Sequence, residues 1–492
     1  MAAATLDRGP WLQSTQISRT RRAPMPDAIA NAVLDPALEG FLAETADARL
    51  ESFKALLRIA SISGIPSHAP DCRAAAEFVA ADLRAAGMEH VEVSETGGHP
   101  VVYADWLHAD GRPTVLIYCH YDVQPVDPLD LWESPPFVPV VKDGKMLARG
   151  SSDDKSQLHM HVRAIEALLR TRGKLPVNLR VVFEGEEESS SIHLDAWLEA
   201  NRERLEADFA LISDTSFFEG NLPSITIALR GLVYFQLDVT GSTIDLHSGG
   251  YGGAVDNPVN ALCHIVAALK GTDGLIKVPG FYDDVVALTP LDKAAFAQLP
   301  FQEETYRESL GVPTLMGEPG YTTLERLGAR PTLDVCGIWG GFEGEGPKTI
   351  IPAHAHAKIS ARLVANQDPE KIFSLIAAYI DQVAPKSVRY SIRRLGDGKP
   401  SLTPIDNPAT QAAARAIQSA FGVAPLYIRE GGSVPVCASF ESILGLSTVL
   451  LGFAPPDGQF HAPNEWMWMS NYETGIRAIA RYWDEIAGLD HV

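Results

Sequence analysis

The sequence predicts an α/β chain: a mainly parallel central sheet flanked by helices, interrupted by an inserted α+β domain. Three observations carry this prediction. TVLIYC (114–119), NLRVVF (178–183), FALIS (209–213) and STVLLGF (447–453) are nearly continuous apolar runs. Strands of that kind are covered on both faces, as in a parallel sheet between helical layers. In contrast, LVYFQLDVTG and HAHAKISARL alternate strictly with period two, the mark of strands with one covered and one wet face. Finally, 492 residues exceed one ordinary core, so more than one domain is expected.

The elements follow in order. Residues 1–24 hold four arginines and one acid without an apolar stretch, so they do not form a secretory signal. A disordered leader is expected, with folded sequence starting near Met25. LESFKALLRIASISG and DCRAAAEFVAADLRAAGM carry apolar residues at helical spacing. The apolar strands then alternate with helices. The alternating strands and two helices, NPVNALCHIVAALKG and DPEKIFSLIAAYIDQV, build the inserted domain, read as ferredoxin-like. The expected division is 25–225 with 401–492 for the first domain and 226–400 for the insert. Residues 280–335 are irregular and predict loops and short helices.

Composition narrows the function. The formal net charge is −21, which disfavours nucleic acid and anionic membranes as partners. No apolar run reaches the length of a membrane span. Cys72, Cys119, Cys263, Cys336 and Cys437 are odd in number and form no C-x-x-C pair. Reduced thiols in a cytoplasmic compartment are expected.

The predicted strands end in metal-ligand chemistry. TVLIYC runs into His120, Tyr121 and Asp122; NLRVVF into Glu186, Glu187 and Glu188; FALIS into Asp214; STVLLGF leads on to His461. ARGSSDDK adds Asp153 and Asp154. Ligands of an open parallel sheet bind at the carboxyl ends of its strands. Imidazole and carboxylate without thiolate fit zinc, cobalt or manganese. Two such ions can share a carboxylate and activate a water, which needs a nearby base. The run EGEEESSS is either a solvated acidic turn or a site facing positive charge, since adjacent carboxylates repel.

Taken together, CHYDVQP, ARGSSDDK, EGEEESSS, ISD, LRGLVYFQLDV, DLHSGGYGG, KTIIPAHAHAKISARLV, REGGSVPV and HAPNE resemble the dinuclear zinc exopeptidase family. That family holds carnosine-type dipeptidases, glutamate carboxypeptidases, aminoacylases and succinyl-diaminopimelate desuccinylase. The likeness runs from about residue 48 to the end and is nearest the dipeptidase branch.

The resemblance implies two Zn2+ per subunit, with Mn2+ or Co2+ as alternatives. It implies His120 and Asp214 on one ion, Glu188 and His461 on the other, and Asp153 bridging them. Asp122 holds the His120 imidazole, and the Asp153–Asp154 peptide is cis. Glu187 is the general base and Glu186 has no chemical role. The insert is implied to be a lid that also forms a homodimer. His247 reaches the partner's site to stabilise an oxyanion. Arg362 and Ser433, with Gly432, bind the substrate carboxylate, and Thr349 contacts the substrate. One departure is Ser156, where relatives usually have glycine. The reaction implied is hydrolysis of a dipeptide or short peptide with a free C-terminal carboxylate. Two alternatives stand beside it: hydrolysis of N-acyl or N-succinyl amino acids, and a metal-free binding protein on the same fold.

Other tempting residues read as structural. His354 and His356 share an exposed strand face. His159 and His161 sit on the helix after DDK and serve packing or surface. His193 caps a helix or faces solvent, and the serines of EGEEESSS cap the helix that follows. Glu343 and Glu345 belong to a Gly-rich turn. Glu465 orients His461 or caps a helix, and Cys119 points away from the ligands.

Overall fold

The computed structural model describes residues 35–489 apart from Ser433. The expectation for residues 1–24 lies outside the described residues. The four apolar runs become the strands Thr114–His120, Asn178–Glu184, Phe209–Ile212 and Thr448–Leu450. They lie side by side and parallel within a nine-stranded sheet. Alternate side chains feed two cores, as the pleat requires. Ile117, Val181, Leu211 and Val449 face one core, shared with Ala69–Ala86, Lys155–Arg172, Pro408–Phe421 and Met469–Ala487. Leu116, Tyr118, Val182 and Ile212 face the other, with Leu194–Ala200 and Pro435–Ser439. Burial on both faces is why these runs carry no polar alternation.

Helix ends follow local chemistry. Asn407 accepts hydrogen bonds from the Ala409 and Thr410 N–H groups, and Pro408 sets the first turn of Pro408–Phe421. Gly422, at φ 73°, closes that helix in a left-handed conformation that suits glycine. Antiparallel strands flank the parallel centre: Glu89–Ser94 and Val101–Trp106 on one side, Ser224–Leu229 and Ser401–Leu402 on the other. Leu426–Glu430 pairs in parallel with Ser224–Leu229.

The second unit has the order strand, helix, strand, strand, helix, strand. Gly231–Thr240, Thr332–Gly340, His354–Leu363 and Arg389–Gly398 form one antiparallel sheet, with His354–Leu363 and Gly231–Thr240 at its centre. Pro258–Leu269 and Pro369–Val383 cover one face. Val233, Phe235, Leu237 and Val239 point into that core, as do Ala355, Ala357 and Ile359. The intervening residues stay partly exposed, which explains the period of two. His354 and His356 lie on this open face, where His356 bonds Asp238 and stacks on Trp339.

The chain crosses between the two cores at Arg230 and returns through Lys399 and Pro400. A Cβ on Gly231 would lie 2.5 Å from the Gly398 carbonyl oxygen and 2.7 Å from Pro400 Cδ. Only glycine lets the outgoing and returning strands approach this closely. Residues 280–335 contain the short helices Pro290–Gln298, Glu303–Ser309 and Thr323–Ala329. The first and last of these pack on Leu426–Glu430, and Arg429 bonds Asp292. Among the described residues no helix is long and apolar enough to cross a membrane.

His159 and His161 are buried and serve packing. His159 bonds Tyr472 and Ser52, and His161 bonds Ser213. Burial pushes the His161 imidazole down to about 3 from 6.5. The unfolded chain therefore takes up a proton near pH 6.5 that the folded chain refuses. Stability from this group is whole above that pH and drains away as pH falls toward 3. Thermal unfolding across pH 7 to 4 is expected to show a falling Tm, less steeply in His161→Gln. An equal slope in the variant would remove this histidine as the cause.

Candidate metal centre

The carboxyl ends of the parallel strands gather the predicted side chains. His120, the last residue of its strand, places Nε2 3.0 Å from Asp153 Oδ1. His461 Nε2 lies 3.0 Å from Asp153 Oδ2. Asp153 thus stands between two histidines, one at each oxygen. Asp214 Oδ1 lies 3.9 Å from His120 Nε2, and Glu188 Oε2 lies 3.3 Å from His461 Nε2. Donor atoms of Asp153, Glu188 and His461 fall within 4.8 Å of one another, as do those of His120, Asp154 and Asp214. Two atoms each about 2.0–2.1 Å from a tetrahedral ion lie roughly 3.3 Å apart, so this spacing fits a ligand sphere. Asp154 went unassigned in the sequence. It is buried, and its Oδ2 accepts the His120 backbone N–H at 3.2 Å. The Asp153–Asp154 peptide is cis.

The electrostatics call for positive charge. Burial, then repulsion from Asp153, pushes Glu188 up to about 8. Burial also raises Asp214 well above the carboxylate range, against the pull of His120. Burial lowers the His120 imidazole, but Asp122, Asp153 and Asp214 outweigh it and the net shift is upward. The hydrogen bond to Asp153 lifts His461 to about 9. A divalent ion would replace the protons this cluster otherwise retains.

Asp122 lies behind His120, with Oδ1 3.3 Å from Nδ1. Its Oδ2 accepts the Glu188 backbone N–H at 3.1 Å, so one carboxylate ties two strand ends together. The acidic triplet separates into three environments. Glu186 pairs with His193 at 2.9 Å. Glu188 Oε2 accepts from Gln124 Nε2 at 2.7 Å as well as facing His461. The Glu187 carboxylate has no hydrogen bond or ion pair among the described residues, yet it feels His120, Asp153 and His461. Burial raises its proton affinity.

Two expectations need correction. The serines do not cap the next helix: Ser190 and Ser191 take left-handed backbone at φ 82° and 48°, and His193 occupies the cap position. That turn swings Glu187 and Glu188 toward the cluster. Glu465 neither orients His461 nor caps a helix. Its Oε2 accepts from Arg149 Nη1 at 2.8 Å and the Gly150 N–H at 2.9 Å. Its Oε1 accepts from the Ser152 and Asp153 N–H groups at 2.8 and 3.0 Å. Glu465 is therefore the fixed anion around which the Asp153 loop is folded. Gln124 was also missed, although it lies within the quoted CHYDVQP motif.

The remaining predicted residues lie elsewhere. Arg362 sits near the end of its strand, opposite Leu232. The Gly432 carbonyl accepts the Arg230 N–H at 3.1 Å. Burial and then the nearby Arg362 charge bring Arg230 down to about 10. Arg362 and Gly432 thus both adjoin Arg230, at the crossing between the cores. Ser433 lies outside the described residues. His247 is exposed on the second unit, where its Nδ1 accepts the Gly250 N–H at 3.1 Å. Its short strand pairs with Ile350–Ile351, beside Thr349, whose carbonyl accepts the Ser248 N–H. Among the described residues no hydrogen bond or ion pair joins His247 or Thr349 to the His120 cluster of the same chain.

Comparison with known proteins agrees with this geometry. Residues 116–485 match the model of peptidase family M20/M25/M40. The chain is 32% identical to the Cys-Gly metallodipeptidase dug1 of Schizosaccharomyces pombe, over 88% of this chain and 94% of that protein. It is 32% identical to the human Beta-Ala-His dipeptidase, over 79% of this chain and 78% of that protein. The solved structure of the metallo-carboxypeptidase Sso-CP2 from Sulfolobus solfataricus superposes with a TM-score of 0.77 at 30% identity, covering 90% of this chain and 99% of that one. With a matched family model over most of its length, and the donor set of a divalent-metal hydrolase, this chain belongs to peptidase family M20/M25/M40.

Proposed function

We propose that this protein is a dinuclear zinc dipeptidase. It hydrolyses the amide bond of dipeptides or short peptides with a free C-terminal carboxylate. The observation that carries the reading is Asp153 placed between His120 and His461, with the unheld Glu187 carboxylate beside them. His120 and Asp214 would hold one ion, Glu188 and His461 the second, and Asp153 both; manganese or cobalt would suit the same donors. Such ions, when bound, supply Lewis acidity and lower the pKa of water.

The chain's own residues do the rest. Glu187 takes the proton of the attacking water and passes it to the leaving amine. Asp122 fixes the His120 ring. Arg362 offers a guanidinium fork to the substrate carboxylate, with Gly432, Ser433 and Thr349 around it. His247 of the partner subunit donates to the developing oxyanion in a homodimer formed through the lid. The relatives named as Cys-Gly and Beta-Ala-His dipeptidases favour a dipeptide over an N-acyl or N-succinyl amino acid. The free cysteines suit a reducing cytoplasm.

The test is a panel of dipeptides, N-acetyl amino acids and N-succinyl amino acids, assayed with zinc, manganese and cobalt in turn. Turnover of dipeptides is expected; turnover of the acylated compounds alone would overturn the reading. The shared site has its own test. His247→Ala and Glu187→Gln homodimers should each be nearly inactive. Mixed and allowed to exchange subunits, they should regain about a quarter of wild-type activity, since half the dimers are mixed and each has one intact site. No recovery after demonstrated exchange would exclude a contribution across the dimer.

A further inference from the structure

We infer that Glu430 binds the substrate's free amino group and so selects peptides with an unmodified N-terminus. This deepens the hydrolase reading above and rests on it. Glu430 ends the strand Leu426–Glu430, which runs parallel to Ser224–Leu229 at the side of the large sheet. It lines a cavity of about 220 Å³ together with Asp153, Asp214 and His461. Its Oε1 accepts from Thr226 Oγ1 at 3.0 Å. Its Oε2 has no hydrogen bond or ion pair among the described residues. The adjacent cation does not serve it, because Arg429 is engaged by Asp292 on another element.

A partly buried carboxylate with one neutral partner calls for a cation. The proposed metal groups do not supply one directly. Glu430 belongs to neither set of donors lying within 4.8 Å of one another. The cation therefore arrives with the ligand. Burial raises the proton affinity of Glu430, and an incoming ammonium would reverse that shift.

The spacing along the chain agrees. Glu430 and Gly432 are two residues apart, so their Cα atoms are at most about 7 Å apart in extended chain, and the Glu430 side chain adds its own reach. The ammonium and carboxylate of an extended dipeptide are separated by roughly 6 Å. A dipeptide can therefore place its carboxylate near Gly432 and Arg362 while its ammonium meets Glu430. An N-acyl amino acid offers no charge there and leaves Glu430 with Thr226 as its one, neutral partner.

The experiment compares zinc-loaded full-length wild type and Glu430→Gln on Ala-Ala and N-acetyl-Ala-Ala. Wild type is expected to favour Ala-Ala by about 100-fold or more in kcat/KM, since a site built to pair a polar group rejects the analogue lacking it. Glu430→Gln should lose about 30-fold or more on Ala-Ala, mostly in KM, and change by less than about 3-fold on N-acetyl-Ala-Ala. Tm and zinc content should stay at wild-type values. An equal loss on both substrates, or a preference that persists in the variant, would overturn the inference. An active wild type without the preference would overturn it alone, leaving the hydrolase reading in place. Wild type inactive on every peptide would overturn both. If Glu430→Gln fails to fold, product inhibition of wild type decides. Alanine should then inhibit at least about 10-fold more tightly than N-acetylalanine, and equal inhibition would overturn the assignment.

Discussion

Glu187→Gln is expected to lower kcat by about 10²–10⁴-fold while zinc content stays at the wild-type value. The argument rests on how the two neighbours are held. Glu188 is fixed on three sides, by Gln124 and His461 at its carboxylate and by Asp122 at its backbone N–H. Glu187 has none of these partners, and neither group of clustered donor atoms includes it. A carboxylate kept off the ligand sphere, among two histidines and Asp153, is placed to exchange protons. Glutamine keeps its size and removes its basicity. Glu188→Ala should do the reverse and lose metal. Steady-state kinetics with metal analysis on the same preparations separates the roles. Near-normal turnover in Glu187→Gln would overturn the assignment of the base.

Glu465→Gln is expected to damage both stability and metal binding, though Glu465 is in neither donor group. Its two oxygens accept four hydrogen bonds, three of them from backbone N–H groups of the loop that presents Asp153. An amide places an NH2 donor where one of these acceptors stood, so donor faces donor. Arg149, 1% exposed, also loses its anion. Breaking a buried ion pair costs about 3–5 kcal/mol. Loss of a residue that orients a ligand costs about 10–100-fold in metal affinity. A clear fall in Tm for the metal-free protein, with weaker zinc binding in chelator competition, is the expected result. A variant with wild-type Tm and zinc affinity would show that the loop holds its shape without the anion.

The sequence disclosed the sheet centre and the insert because burial leaves a direct trace in residue type. Strands covered on both faces become unbroken apolar runs, as in Thr114–His120. Strands covered on one face alternate, as in Gly231–Thr240. Strands outside the parallel centre leave a fainter trace: Ser224–Leu229 carries serine and threonine, and Leu426–Glu430 arginine and glutamate, beside apolar residues. The grouping of His120, Asp153, Glu188, Asp214 and His461 was legible because each follows a strand end or a recognisable turn. Glu465 was not, because its partners lie more than 300 residues away and are mostly backbone N–H groups, which have no signature in residue type. The serine turn was misread for a similar reason. Serine suits a helix cap and a tight turn equally well, and the position of His193 decided between them.

The crossing at Gly231 and Gly398 has a mechanical consequence. The two chain crossings that lead to and from the insert's sheet lie side by side and define a pivot, buttressed by Pro290–Gln298 and Thr323–Ala329 packed on Leu426–Glu430. Arg362, opposite Leu232, sits next to that pivot. Thr240 lies nine residues further along the strand, roughly 30 Å away at a strand's rise, and His247 follows it. A swing of about 10° would carry that far end by roughly 5 Å while Arg362 barely moves. In the homodimer proposed above, the insert would act as a lever, with the proposed carboxylate-binding Arg362 on its short arm and His247 on its long arm.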